Sequence, residues 1–426
     1  MFKAERKFNR KLMNKTDVLL DDLKLKRLFS CLADTGQESR IVGGAIRDVL
    51  CGKTPQEIDL ATTALPESVM KAAEKSGYRV VPTGVDHGTV TIIIDSQPFE
   101  VTTLRTDVET DGRYAKVTFG NSFEEDAKRR DFTINALSLS ESGVIYDYVN
   151  GLSDLKAGRV RFIGDPETRI KEDFLRILRF FRFSASHGVG ELDPEGLKQC
   201  TLAKENLLRL SRERIHNELF KLMVAERAPE ILAIMSYHGF AKLLLGETFP
   251  SRVKRLRAFE KLSNKQPCAL LTLAAFAIIT DADVKRLRER LRLSNDEFNR
   301  LMNATKIYDR LKESSKAPHG AKLKELLFLF GPSACQDGLC LAISDTSPET
   351  DDSTWIEALD FLARAPTPIF PIKTAELITR GIEPGQKLGK ALKLLQNAWI
   401  QAEFPQDPSI LENLTRQVIE DVNKTN

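Results

Sequence analysis

The chain has 426 residues, 42% of them hydrophobic, which is enough for several domains with real cores. No segment approaches the roughly eighteen consecutive apolar residues of a membrane span. A net charge of +3 is small for this length, so attraction for a polyanion must rest on local stripes. Such stripes occur at Lys128, Arg129 and Arg130, at Arg176, Arg179 and Arg182, and at Arg209, Arg212 and Arg214. The N-terminal stretch MFKAERKFNRKLMNK is basic but lacks the apolar core of a secretory signal. Glu5 interrupts it and serine is absent, so it reads as a solvated basic arm rather than an organelle-targeting segment. Six cysteines form no C-x-x-C pair, and no histidine pair has metal-ligand spacing. That points to a reduced, cytoplasmic chain without structural zinc.

In chain order, an amphipathic helix is expected over 17–38, with a break at Thr35-Gly36-Gln37. Residues 40–43 read as a strand, and 45–50 as a helix that opens after Gly43-Gly44. Strands are expected at 57–61, 78–81, 89–95 and 99–104, the last two joined through Ser96-Gln97-Pro98. Residues 134–139 and 144–148 add β or helix-end structure. Beyond residue 160 helical periodicity takes over, at 170–187, 195–206, 211–226, 228–237, 252–262, 268–279, 283–292 and 295–313. It continues at 319–330, 353–365, 373–380 and 387–402, with no fixed-period repeat. The order is a small α+β head followed by a long all-helical body.

Gly43-Gly44 lets backbone approach a ligand and frees N–H groups at a helix start, which suits phosphate. Arg47, one turn in, can pair with a phosphate oxygen. Glu57 and Asp59 share a face if their segment is a strand. Two carboxylates kept together on an otherwise apolar strand can converge on divalent ions. In RRDFTINAL (129–137), Arg129 and Arg130 can hold a phosphate, and Asp131 and Asn135 can bond a ribose or fix an arginine.

Residues 171–183, KEDFLRILRFFRF, carry Asp173, Arg176, Arg179 and Arg182 at intervals of three among apolar residues. On one helix these form a polar stripe. Buried arginines need partners, and one aspartate cannot neutralise three, so an anionic ligand is expected to complete the set. An acceptor beside a forked donor suits cytosine and adenine, which both present an amino group next to ring acceptors. The carbonyls of guanine and uracil would repel the aspartate.

Taken together, VGGAIRD (42–48), EIDLATTALPE (57–67), HGTVT (87–91), EVTTLRTDVETDGR (100–113), RRDFTINAL, EDFLRILRFFRF (172–183) and LSRERIHNEL (210–219) resemble the class II tRNA nucleotidyltransferases. These include CCA-adding enzymes and bacterial poly(A) polymerases of the polymerase-β-like superfamily, and the chain is most like a bacterial CCA-adding enzyme. The resemblance implies a polymerase-β-like head with a mixed β-sheet and an elongated all-α neck, body and tail. It divides the chain into a basic arm (1–25), head (26–160), nucleotide-selecting neck (161–225), body (226–315) and tRNA-binding tail (316–426). It further implies Mg2+ held by Glu57 and Asp59 as the catalytic pair. Gly43, Gly44, Arg47, Arg130, Asp131, Asp173, Arg176, Arg179 and Arg182 are implied as nucleotide-binding, with Asp173 and Arg176 as the template for C and A. The segment 105–115 is similar to the family's flexible loop that helps switch from CTP to ATP.

The implied reaction is template-independent addition of C, C and A to the 3′ end of tRNA from CTP and ATP. No membrane and no protein partner are expected. One residue departs from the family's usual Asp-x-Asp: the first acid is Glu57, one methylene longer. The competing readings are a poly(A) polymerase, an enzyme adding only CC or only A, and a non-catalytic tRNA-binding protein. Glu100, on the neighbouring strand, reads as an outward-facing strand acid rather than a third metal ligand.

Overall fold

A computed structural model of the chain describes residues 10–84, 88–111, 114–314 and 316–424. Residues 1–9 of the basic arm, His87 of HGTVT, and Gly112 and Arg113 lie outside them. The chain forms two compact units, Met1–Leu244 and Leu245–Asn426.

Unit 1 is built on a mixed seven-stranded sheet in the order β3-β4-β5-β2-β1-β8-β9. Its strands are β1 (Ser39–Val42), β2 (Asp59–Thr62), β3 (Arg79–Gly84), β4 (Thr89–Ile94), β5 (Gln97–Thr103), β8 (Ser138–Ser140) and β9 (Ile145–Tyr146). The β2–β5 pair is parallel and all the others are antiparallel. Helices α1 (Arg10–Leu20), α2 (Leu23–Ala33), α3 (Gly44–Leu50) and α4 (Pro66–Lys75) contribute to one core with Ile41, Leu60, Ile92, Phe99 and Val101. Val42 and Ala61, the next residues along β1 and β2, enter a second core with Leu104 and Phe123. Burial on both faces explains why adjacent residues, Ile41-Val42 in β1 and Leu60-Ala61 in β2, are apolar rather than alternating with polar ones. Asp59 shares the second face with Ala61 and Val42, away from the helices, because alternate strand residues point the same way.

Several boundaries differ from the sequence expectation. The helix read over 17–38 breaks at Asp21-Asp22, where the Asp22 carboxylate caps α2 by accepting from Lys24 N and Leu25 N at 2.7 and 3.0 Å. The β4–β5 turn is Asp95-Ser96, both with positive φ (48° and 66°), as a two-residue hairpin requires. Gln97 and Pro98 belong to β5, in the part of the strand that lies beyond β2's reach, where proline is tolerated. The described part of 105–115, read as a loop, belongs to an antiparallel ribbon of β6 (Arg105–Asp111) and β7 (Tyr114–Phe119). The threonines, valines and tyrosine of this stretch favour extended backbone.

Between the ribbon and β8, α5 (Phe123–Arg129) is capped by Ser122 and carries acids in its first turn and Lys128 and Arg129 in its last, matching the helix dipole. Helices α6 (Gly151–Lys156), α7 (Pro166–Glu172), α8 (Leu175–His187), α9 (Pro194–Ala203), α10 (Arg212–Met223) and α11 (Ala228–Tyr237) follow. Aromatic contacts seat α8: Phe180 stacks on Phe162 at 5.6 Å, and Phe183 meets Phe132 edge-on at 5.5 Å. Each such pair adds about 0.5–1.5 kcal/mol beyond its burial.

The described residues of unit 2 form helices joined by turns and loops, with no strand among them. Its helix Ala321–Ser344 is long and apolar enough to cross a membrane by composition. It is interrupted at Gly331 (φ 75°) before Pro332, and Leu326, Leu327, Leu339 and Ile343 are buried within the protein. A core helix of a folded domain has the same signature.

Gly151 lies against the turn that shapes the site. A Cβ there would stand 2.2 Å from the carbonyl oxygen of Thr133, and backbone cannot yield as a flexible side chain can. Gly151→Ala should therefore cost about 1–3 kcal/mol, read as a lowered urea midpoint for the transition of unit 1. An unchanged midpoint would contradict this packing.

Candidate active site

Gly43 takes φ 76°, ψ −130°, and α3 begins at the next residue. A Cβ on Gly43 would meet Arg130 Nη1 at 3.1 Å. Glycine is needed here both for its conformation and for the room it leaves the guanidinium. Arg47 is buried in the first turns of α3; Nη1 donates to Asn135 Oδ1 at 2.5 Å, and Nε and Nη2 lie 2.9 and 2.8 Å from Asp48 Oδ1.

Asp59 opens β2, opposite Val42 on one side and Glu100 on the other. Strand β2 begins only at Asp59, so Glu57 is not a strand residue as expected from sequence; it is exposed and precedes the sheet. Pairing fails there because β1 and β5 supply partners from Asp59 onward. Burial, then Glu100, then Glu57 push the Asp59 carboxyl up to about 6, against the pull of Arg130. Glu100, read as an outward acid, thus faces the same place. Among the described residues no three His, Cys, Asp or Glu side chains are already gathered as a metal cluster. The donor set is nevertheless all carboxylate oxygen, and its mutual repulsion is what a hard divalent cation would relieve, so the residues fit such a cation.

The C-terminal end of α5 presents Arg129 and Arg130, both paired with buried Asp126. Arg129 Nε is buried and has no hydrogen-bond partner. Asp131 is buried: Oδ1 accepts from Phe132 N and Asn135 Nδ2 at 2.8 and 3.0 Å, and Oδ2 accepts from Arg179 Nε at 2.6 Å. Burial alone would raise its pKa, but Arg179 and these hydrogen bonds outweigh that and hold it below the usual carboxylate range.

The helix expected over 170–187 is two helices. Asp173 is extended (φ −155°, ψ 108°) between α7 and α8, and its Oδ1 accepts from Leu175 N at 3.0 Å. An aspartate that bonds backbone two residues on competes with helix continuation. Asp173 is therefore not on the stripe with Arg176; its Oδ2 accepts from Arg214 Nη2 at 2.7 Å. The three arginines also have protein carboxylates: Arg176 pairs with Glu172, Arg179 with Asp131, and Arg182 with buried Glu218 at 2.5 Å. The expectation that only an external anion could satisfy them fails, because neighbouring Glu172 and distant Glu218 supply partners from within the chain. Arg214 is a site residue that the motifs alone do not select, although its basic stripe is visible.

These side chains surround one cavity of about 510 Å3. Gly43, Gly44, Arg47, Asp59, Arg130, Asp131, Asp173, Arg176, Arg179 and Arg182 all line it, with Arg129, Asn135, Phe183 and Arg214. Seven guanidiniums thus face three aspartates, which makes the surface attractive to a polyphosphate. A smaller cavity of about 280 Å3 shares Asp59, Arg129 and Arg130 and adds Glu100 and Asp126. A larger one of about 750 Å3 lies in unit 2, lined by Phe361, Pro366, Pro368 and Phe404 with balanced charges. Size does not mark the site here, because convergent cations and carboxylates occur in the smaller cavity.

The raised Asp59 pKa carries a stability consequence. In the folded chain the proton is held up to pH about 6, whereas an unfolded aspartate releases it near 3.8. The folded state binds more protons between those values, so Asp59's contribution to stability is lost as pH rises from about 4 to 6. In metal-free buffer Asp59→Asn should therefore melt higher than wild type at pH 7.5, with the gain shrinking toward pH 4. Magnesium should raise the melting temperature of wild type only. A gain independent of pH would contradict the carboxylate crowding.

Known proteins share this outline. Residues 39–161 match the family model described as the poly A polymerase head domain. The chain is 34% identical to the mitochondrial CCA tRNA nucleotidyltransferase 1 of Danio rerio, covering 86% of this chain and 84% of that protein. It is 31% identical to the CCA-adding enzyme of Leuconostoc mesenteroides, over 93% and 96% of the two chains. The solved structure of the Bacillus stearothermophilus CCA-adding enzyme in complex with CTP shares the fold, with TM-score 0.73 at 24% identity over 96% of this chain and 99% of that one. On this near full-length similarity, the chain belongs to the family of CCA-adding tRNA nucleotidyltransferases.

Proposed function

We propose that this chain adds C, C and A in turn to the 3′ end of tRNA, taking CTP and ATP and releasing pyrophosphate, with protein side chains in place of a nucleic-acid template. The single observation that carries the reading is one cavity lined at once by a phosphate-suited glycine turn, Asp59, and the Asp173/Arg176 pair. The similarity to CCA-adding enzymes over most of the chain supports it.

In this reading Gly44, Arg47 and Arg130 grip the triphosphate, and Asp131 keeps Arg179 in place beside it. Asp173 accepts from the base amino group and Arg176 donates to the ring acceptor. Arg182 completes the pocket through its pairing with Glu218. Nucleotidyltransferases of this family generally use a divalent metal; Glu57 and Asp59, with Glu100 beside them, would hold it, and we take it to be Mg2+. Held there, such an ion would supply stabilisation of the negative charge on the reacting phosphate oxygens. The chain's own contribution is positioning and electrostatics: guanidiniums already pinned by carboxylates need little reorganisation when phosphate arrives. We assign 26–160 to catalysis, 161–225 to nucleotide choice, and 226–315 and 316–426 to the tRNA. The six free cysteines accord with a reducing compartment, which we read as the cytoplasm.

Purified protein should extend tRNA lacking CCA by three nucleotides when given CTP and ATP, and then stop. A ladder of added A would indicate a poly(A) polymerase, and arrest after two C or failure to add C would indicate a partial enzyme. Asp59→Ala should lower incorporation about a thousandfold or more while tRNA affinity stays within roughly twofold. Parallel loss of both would mean that Asp59 is structural.

Asp173→Ala should erode rejection of UTP and GTP by roughly tenfold to a hundredfold, the worth of one good bidentate contact, in single-nucleotide incorporation assays. Unchanged selectivity would remove Asp173 from base choice.

A further inference from the structure

The end of α8 farthest from Asp173 is tied to the nucleotide-gripping turn. His187 is the last residue of α8, and its side chain is 7% exposed. Its Nε2 lies 2.9 Å from Asp48 Oδ1, and its Nδ1 lies 2.7 Å from Ser186 Oγ. Asp48 Oδ1 is the same atom that faces Nε and Nη2 of Arg47. The Arg47 Nε–H also lies 3.0 Å from Nε2 of the imidazole. Neither tautomer serves every contact. With hydrogen on Nε2, the ring donates to Asp48 Oδ1, which also accepts from Arg47, but the Arg47 Nε–H then has no acceptor on the ring, and Ser186 Oγ must turn from the Arg182 carbonyl, 3.0 Å away, to serve Nδ1. With hydrogen on Nδ1, the ring accepts from Arg47 and donates to Ser186, but its Nε2 lone pair is set against the Asp48 oxygen. A second tie runs alongside, since Lys53 Nζ donates to the Ser186 carbonyl at 2.6 Å. The Phe183 ring lies 4.9 Å from the Arg47 guanidinium and 6.1 Å from the His187 ring.

We propose that His187 is a positioning residue that fixes Asp48, and through it the Arg47 guanidinium, to the last turn of the base-selecting helix. This rests on the functional reading above. The charged groups around the ring are Arg47 and Asp48 of α3 and Lys53 just beyond it. Burial, with Arg47 and Lys53, outweighs the pull of Asp48 and lowers the imidazole pKa, so the ring is neutral at neutral pH. Helix α8 spans about 20 Å. Base recognition at its start and the phosphate grip at its end are therefore parts of one rigid body. Correct base choice then brings the triphosphate into register without a separate adjustment.

The test compares wild type with His187→Leu, which removes the donor, and His187→Gln, which can restore one near the position of Nε2. His187→Leu should raise KM for both CTP and ATP about fivefold, the worth of one buried hydrogen bond. Its kcat should stay within about twofold of wild type, and tRNA affinity should not change. His187→Gln should recover most of the loss. Wild-type KM in His187→Leu, or His187→Gln as impaired as His187→Leu, overturns the proposal. So does a fall in kcat and melting temperature that tracks the KM change. If His187→Leu does not fold, Ser186→Ala leaves the ring in place but frees its tautomer. It should raise KM roughly twofold, and no change would count against the proposal. Calorimetric CTP affinity of the same variants should weaken and recover in the same pattern. That holds even if wild type fails to extend tRNA, which would sink the functional reading alone.

Discussion

The ion pair between Asp131 and Arg179 is the constraint on which the rest of unit 1 depends. It joins the segment that carries Arg129 and Arg130 to the helix that carries Arg176 and Arg182. The carboxylate is buried, so losing its partner would strand a charge, at a cost of about 3–5 kcal/mol. Asn135 uses the same short turn to hold both Asp131 and Arg47. Arg47 on α3, Arg130 after α5 and Arg179 on α8 thus answer to one buried network. Displacing any member would move the cavity wall.

The cavity is charged but not unsatisfied. Asp126, Glu172 and Glu218 stand behind Arg130, Arg176 and Arg182 and fix their orientation before any ligand arrives. The design trades some attraction for geometry. A guanidinium has five donors in a fixed fork, so one edge can stay with its carboxylate while another meets phosphate or base. The carboxylates around Asp59 are different. Burial first, and then crowding by Glu100 and Glu57, pushes the Asp59 carboxyl up to about 6, and Arg130 offsets this only in part. One side of the site is poised for an anion and the other for a cation, which suits a nucleotide carrying a divalent ion.

Much of this is legible in the sequence. The Gly43-Gly44 turn with Arg47 just after it, the Glu57/Asp59 pair and the Arg130/Asp131 pair follow from local chemistry and short spacings, whereas their meeting in one site is implied only by the family resemblance. Long-range pairing is not legible. Glu218 sits 36 residues from Arg182, and no local rule names it. Asp173 resembles a helix residue because its neighbours are apolar at helical period; its side chain instead bonds the backbone and ends α7. The segment 105–115, whose described residues lie in a β ribbon, resembles a loop because its acids and glycine hide the β-forming residues between them. Helix α5, only seven residues long, is shorter than periodicity can detect, yet it delivers Arg129 and leads directly into Arg130.

Acidic residues and the arginines of α8 face one cavity in unit 1, and a crystal structure determined with CTP and magnesium tests most directly whether that cavity holds the nucleotide as proposed. The expected result is the triphosphate against Gly44, Arg47 and Arg130, metal density at Asp59, and the cytosine within hydrogen-bond reach of Asp173 and Arg176. A nucleotide lodged elsewhere, or a base turned away from α8 with its phosphates remote from Asp59, would contradict it.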